Sequence, residues 1–152
     1  MCLVFSKRQR PTRKVATKDI VIYKLAKEMS GRLVSIFRYA PIELGVRNTS
    51  YLDHPSEADP DYQKSFLSYV DQDMLPGRDK CLFISIGLHA ICGGKMFKAH
   101  LKELIRLLDE DRVLLKGVIP AGAEYYVNKK TGLIVSNAMI YNKIIDHKKY
   151  LI

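Results

Sequence analysis

Residues 81–108 read CLFISIGLHAICGGKMFKAHLKELIRLL. An apolar run, Leu82–Ile86, has the length and composition of a strand covered on both faces. Gly87-Leu88-His89-Ala90 follows as a turn, then the Gly93-Gly94 pair. From there Phe97, Leu101, Leu104, Ile105 and Leu108 recur at i, i+4, i+7, i+8 and i+11, which predicts an amphipathic helix. Lys98, Lys102 and Arg106 take the opposite side, and Asp109, Glu110 and Asp111 end it, since acids at a helix C-terminus oppose the macrodipole.

Working outward, Ile20–Leu25 and Leu33–Phe37 are β-favouring and flank Ser30-Gly31, so Tyr23–Ser35 reads as a hairpin. Downstream, Val113–Ile119 stops at Pro120, and Glu124–Val127 enters the turn Asn128–Gly132. Leu133–Ser136 returns, and Ala138–Ile145 supplies a last strand. The expected fold class is α+β: a mostly antiparallel sheet of about six strands, one main amphipathic helix and a minor helix in a long insertion. That insertion, 46–80, is broken by Pro55, Pro60, Pro76 and Gly77; Phe66, Leu67, Tyr69 and Val70 give its short helix an apolar face.

The 152 residues suggest one domain, here 19–152, preceded by a basic and flexible arm, 1–18. The arm holds Lys7, Arg8, Arg10, Arg13, Lys14 and Lys18 without an acid, within a net charge of +9. The insertion is acidic, with seven carboxylates between Asp53 and Asp79. The arm offers sequence-blind contact with nucleic acid through 7–18, although no nucleic-acid-binding motif is present. No apolar run reaches the ~18 residues of a membrane span and no signal peptide is recognisable, so the expected location is the cytoplasm with no membrane partner. Cys2, Cys81 and Cys92 have neither disulfide nor zinc spacing and read as reduced thiols; no metal or cofactor is implied. If Met1 were removed, Cys2 would carry an N-terminal thiol, but Leu3-Val4-Phe5 reads more readily as an edge strand.

His89 is the first candidate for chemistry, because the glycines around it let the backbone present an imidazole to a cleft. The alternative is a core histidine whose ring nitrogens bond backbone. Gly93, Gly94 and Lys95 open the predicted helix and would place free amides and a cation around an anion. Tyr23 and Lys24, on a predicted strand, complete the expected ligand-binding set, while His89, Glu124 and Ser35 are the candidates for catalysis.

Tyr23-Lys24, Leu33-Val34-Ser35, Gly87-Leu88-His89-Ala90, Ile119–Tyr126 and Ile134–Asn137 together resemble a family of small uncharacterised domains of bacteriophages and gut Bacteroidales. Its pattern is a Tyr-Lys strand, a Gly-Phe/Leu-His-Ala turn and an Ile-Pro-x-Gly-x-x-Tyr-Tyr strand entry. The resemblance covers 19–145 and implies a phage or mobile-element setting without an activity. Lys24, Ser35 and Glu124 also fall in the order of the Arg/His, Ser/Tyr and Glu residues of ADP-ribosyltransferase-type folds, with Lys24 departing from that pattern. The leading expectation is a small intracellular binding domain rather than an enzyme, holding an anionic, nucleotide-like small molecule or a partner protein near His89 and the Gly93 helix start. An ADP-ribosyltransferase-like or other nucleotide-processing enzyme is the alternative, and a protein-interaction module the second.

Overall fold

The computed structural model describes residues 3–6, 9–35, 40–57, 81–84, 86–93 and 112–145. Twelve strands lie within them: β1 (Leu3–Ser6), β2 (Lys14–Val15), β3 (Ile20–Met29), β4 (Arg32–Ser35), β5 (Arg47–Thr49), β6 (Ser56–Glu57), β7 (Cys81–Ile84), β8 (Leu88–Cys92), β9 (Arg112–Ile119), β10 (Glu124–Val127), β11 (Leu133–Ser136) and β12 (Ala138–Ile145). All pairings are antiparallel. The larger sheet runs β2-β10-β11-β8-β3-β9-β12-β5, with β4 on β3; the smaller runs β1-β7-β6.

This corrects the expected α+β class: the described residues are nearly all antiparallel sheet and contain no helix. The α component rested on periodicity in 97–108 and on a weaker pattern in 61–70, and both segments lie outside the described residues. The strand count was low for a separate reason. β2, β5 and β6 are two or three residues long, too short to show an alternating pattern. The stretch read as a turn around His89 continues as β8, which pairs with both β11 and β3.

The basic arm is also tied down where it is described. Lys14 and Val15 pair with Tyr125 and Glu124 of β10, and Ala16 is buried. Ala16 N–H donates to Ala123 O, and Gly122 N–H donates to Ala16 O.

The chain order forces the large sheet to curl. β11 and β12 are four places apart in it, a separation of roughly 19 Å if flat at ~4.8 Å per strand. Only Asn137 joins them, and each residue spans at most ~3.6 Å. The sheet therefore bends until the end of β11 meets the start of β12. Ser136 holds this corner: its hydroxyl lies 2.9 Å from Glu124 O and accepts the Ala138 N–H at 3.2 Å. β9–β10 and β11–β12 are thus the two sides of one long hairpin, folded over at Pro120–Ala123 and Asn137.

Alternation then sorts the side chains. Inside the curl lie Ile22, Ala26, Ala90, Leu115, Ile119, Ile134, Met139 and Tyr141, with Ala16, Ala123 and Ala138. On the outer face Tyr23, Ile91 and Leu114 form one cluster. Phe5 and Ile84 of the small sheet pack with Leu52, Tyr126 and Val135 in another. Gly117 shows how tightly the strands meet: a Cβ there would stand 2.2 Å from Ile140 O. Beside it Tyr141 faces Gly117 and Lys143 faces Lys116, so Asn142 is an extra, bulged residue.

Candidate functional site

Lys24 sits at the centre of β3, between Ile22 and Ala26, and faces Leu115 across the β3–β9 ladder. All three neighbours are fully buried members of the inner core. By alternation its side chain enters the curl, where the ammonium donates to His89 O at 2.7 Å. Among the described residues that carbonyl is its one hydrogen-bond acceptor, and it has no carboxylate partner. Burial lowers the amine from 10.5 to about 8. A lysine in this position is a short-range positive charge, or near pH 8 a partly neutral amine, in an apolar setting.

His89 lies on β8, opposite Val135. Its Nδ1 is 3.0 Å from Gly87 O, and its Nε2 is 3.2 Å from Ile84 O. A neutral imidazole carries one N–H and donates to one of these carbonyls; only the charged ring donates to both. Burial opposes the charge, the Lys24 ammonium adds to that opposition, and together they outweigh the carbonyls and hold the ring down to about 4. Ile84 ends β7, so the histidine stitches the small sheet to the start of β8. Gly87 makes the stitch possible: its φ of +151° suits glycine, and a Cβ would approach Val135 Cγ2 to 2.5 Å and Leu52 Cδ1 to 3.1 Å.

The remaining expected site residues separate. Tyr23 precedes Lys24 on the same strand, faces the outer side and packs in the cluster of Ile91 and Leu114. Gly93 lies against the Tyr23 ring, and its amide donates to Val21 O at 3.3 Å, so that donor is engaged. Gly94 and Lys95 lie outside the described residues. Ser35 Oγ accepts from Ala40 N–H at 3.1 Å, closing the β4 turn.

Glu124 is held by Arg13, whose Nε donates to Oε2 at 3.0 Å and whose Nη2 meets the same oxygen. Arg13 Nη1 also donates to Leu52 O at 3.2 Å. The carboxylate therefore fastens the β2–β10 edge. Lys24, Ser35 and Glu124, which follow the order of a transferase, share no hydrogen bond with one another. The burial that raises the Cys92 thiol to about 11 leaves it a weak nucleophile. No group of three His, Cys, Asp or Glu among the described residues is placed to hold a metal. No helix among them is long and apolar enough to cross a membrane.

Sequence reasoning included Lys24 in the ligand set but placed the anion site at the predicted helix start. The signal that could have singled Lys24 out is its place between Ile22 and Ala26 on a strand whose even positions are otherwise apolar or small from Ile20 to Ala26. Comparison with protein-family models, with curated proteins and with solved structures finds no match.

Proposed function

We propose that this protein is a binding domain for a small anionic molecule of the nucleotide or sugar-phosphate class, held at Lys24 inside the curled sheet. The observation that carries the reading is the half-buried Lys24 ammonium, set among the buried Ile22, Ala26 and Leu115 with a single carbonyl acceptor. A partly buried cation without a counter-charge bears a desolvation cost, and a bound phosphate or carboxylate would offset it with charge-assisted hydrogen bonds. Two small inner-core residues stand near the amine: Ala26, next on the same face of β3, and Ala90, which follows His89. The likeness to phage and Bacteroidales domains supplies no activity, so the reading rests on Lys24.

An enzymatic role is less well supported. Glu124 is committed to Arg13 and both ring nitrogens of His89 face backbone carbonyls, so neither stands ready as a general base. The test is a thermal-shift series with inorganic phosphate, pyrophosphate, AMP and ribose 5-phosphate on the wild type and Lys24→Met. A ligand at 100 times its Kd stabilises by about 2.7 kcal/mol, roughly 5–10 °C for a chain of this size. At least one probe should raise the wild-type Tm and leave Lys24→Met unmoved. Equal shifts in both proteins, or none in either, would remove the proposal.

A further inference from the structure

The outer face of the large sheet carries a second charge arrangement, remote in chemistry from Lys24. Register places Val21, Val118, Ile140 and Arg47 in one row across β3, β9, β12 and β5. The next row is Tyr23, Lys116 and Lys143. Val21, Arg47 and Lys143 are exposed, and Val118, Ile140 and Lys116 are half-buried. Lys116 and Lys143 stand directly opposite each other, a like-charge pair that weakens a sheet. Among the described residues neither they nor Arg47 has an acidic partner, and neither row contains an acid.

We infer that this face binds single-stranded nucleic acid, with phosphates on Arg47, Lys116 and Lys143 and bases against the Val21-Val118-Ile140 row. Three cations without carboxylates match a polyanion, and a bound phosphate chain relieves the Lys116–Lys143 repulsion. Lys116 and Lys143 lie one row, ~6.7 Å, from the aliphatic row, which is the scale of one nucleotide from base to phosphate, and Arg47 ends the aliphatic row on β5. A duplex would bring phosphates but hide its bases from the aliphatic row. A membrane-binding surface would be expected to offer exposed aromatic anchors, whereas the exposed apolar residue of these rows is Val21 and Tyr23 is buried. The inference is independent of Lys24, which points into the curl.

The test is fluorescence anisotropy with a labelled mixed-sequence 20-nucleotide single strand, its duplex, and vesicles of phosphatidylserine and phosphatidylcholine. Three phosphate contacts give a slope of log K against log salt of about −2, so affinity should fall roughly 20-fold between 50 and 200 mM salt. The triple variant Arg47→Gln/Lys116→Gln/Lys143→Gln should lose most of the binding and flatten the slope by about 2. Arg47→Gln/Lys143→Gln, at exposed positions only, should flatten it by about 1.4 and guards against misfolding of the triple variant. The inference fails if the wild type does not bind the single strand, or if both variants bind it as the wild type does. It also fails if the duplex binds equally well, if the vesicles bind in its place, or if Lys7→Gln/Arg8→Gln/Arg10→Gln abolishes binding that the face variants retain.

Discussion

Replacing Lys24 with methionine should stabilise the protein at neutral pH while removing its ligand. The amine titrates near 10.5 in the unfolded chain and at about 8 in the fold. Below pH 8 both states are charged, and the folded state bears the whole desolvation cost. Between pH 8 and 10.5 the unfolded chain binds the extra proton, so stability rises with pH. Above 10.5 both are neutral and the cost is gone. A difference of about 2.5 pKa units corresponds to about 3 kcal/mol. Lys24 keeps some contact with solvent, and methionine gives up the bond to His89 O, worth about 1 kcal/mol, so a gain of about 2 kcal/mol is expected at pH 7. Methionine is unbranched, of similar length and suited to irregular apolar gaps. Urea denaturation of both proteins at pH 7, 8, 9 and 10 measures the difference, which cancels the titration of all other groups. The gain should shrink above pH 8 and vanish or reverse by pH 10. A Lys24→Met protein less stable than the wild type at pH 7, or a gap that ignores pH, would refute the reasoning.

Three further outcomes follow from the geometry of His89, Gly87 and Cys92. His89 shows the same sign in a lower pH window: its folded pKa of about 4 lies below the ordinary 6.5, so stability is full above 6.5 and is lost by about 3 kcal/mol as pH falls to 4. His89→Gln, followed by denaturation at pH 7 and 4, should lower stability by about 1–2 kcal/mol at pH 7 and erase much of that acid sensitivity. Gly87→Ala should cost about 2–4 kcal/mol in a denaturant midpoint, since its Cβ meets the buried Val135 and Leu52 at a φ that disfavours alanine. In a Cys2→Ser/Cys81→Ser background, Cys92 should resist a disulfide exchange reagent at pH 8 until denaturant is added, because the thiolate is suppressed to a pKa of about 11; fast native labelling would contradict this.

Much of the β framework is legible in the residues. The expected strands Val113–Ile119, Glu124–Val127, Leu133–Ser136 and Ala138–Ile145 fall on β9, β10, β11 and β12, and the Tyr23–Ser35 hairpin falls on β3 and β4. These segments are rich in valine, isoleucine and tyrosine and are bounded by Pro120, Gly132 and Gly31, so local chemistry and long-range pairing agree. The short edge strands are different. Arg47-Asn48-Thr49 is polar and gains strand character only because β12 offers it a free edge. Lys14–Val15 likewise takes its conformation from β10 and from the Arg13–Glu124 ion pair. Such elements are properties of the partner strand, and a reading along the chain has nothing to detect.

The candidate site divides along a related line. Gly87 and His89 announce themselves in sequence because glycine and histidine are special residue types, yet here their special properties serve construction: one takes a strained turn, the other sets its ring between two backbone carbonyls and donates to one of them. Lys24, Lys116 and Lys143 look ordinary, since a lysine on a strand usually marks the solvent face. What distinguishes them is where register and curl place them: one half-buried cation on the inner face with a single acceptor, two others face to face without an acid. Both arrangements work against folding, by desolvation in the first case and by repulsion in the second. Departures of this kind, in a sheet whose packing is otherwise consistent, are where function is most economically sought. Each is relieved by an anion, which makes the two sites separately testable: phosphate probes should respond to Lys24→Met alone, and the single strand to Arg47→Gln/Lys143→Gln alone.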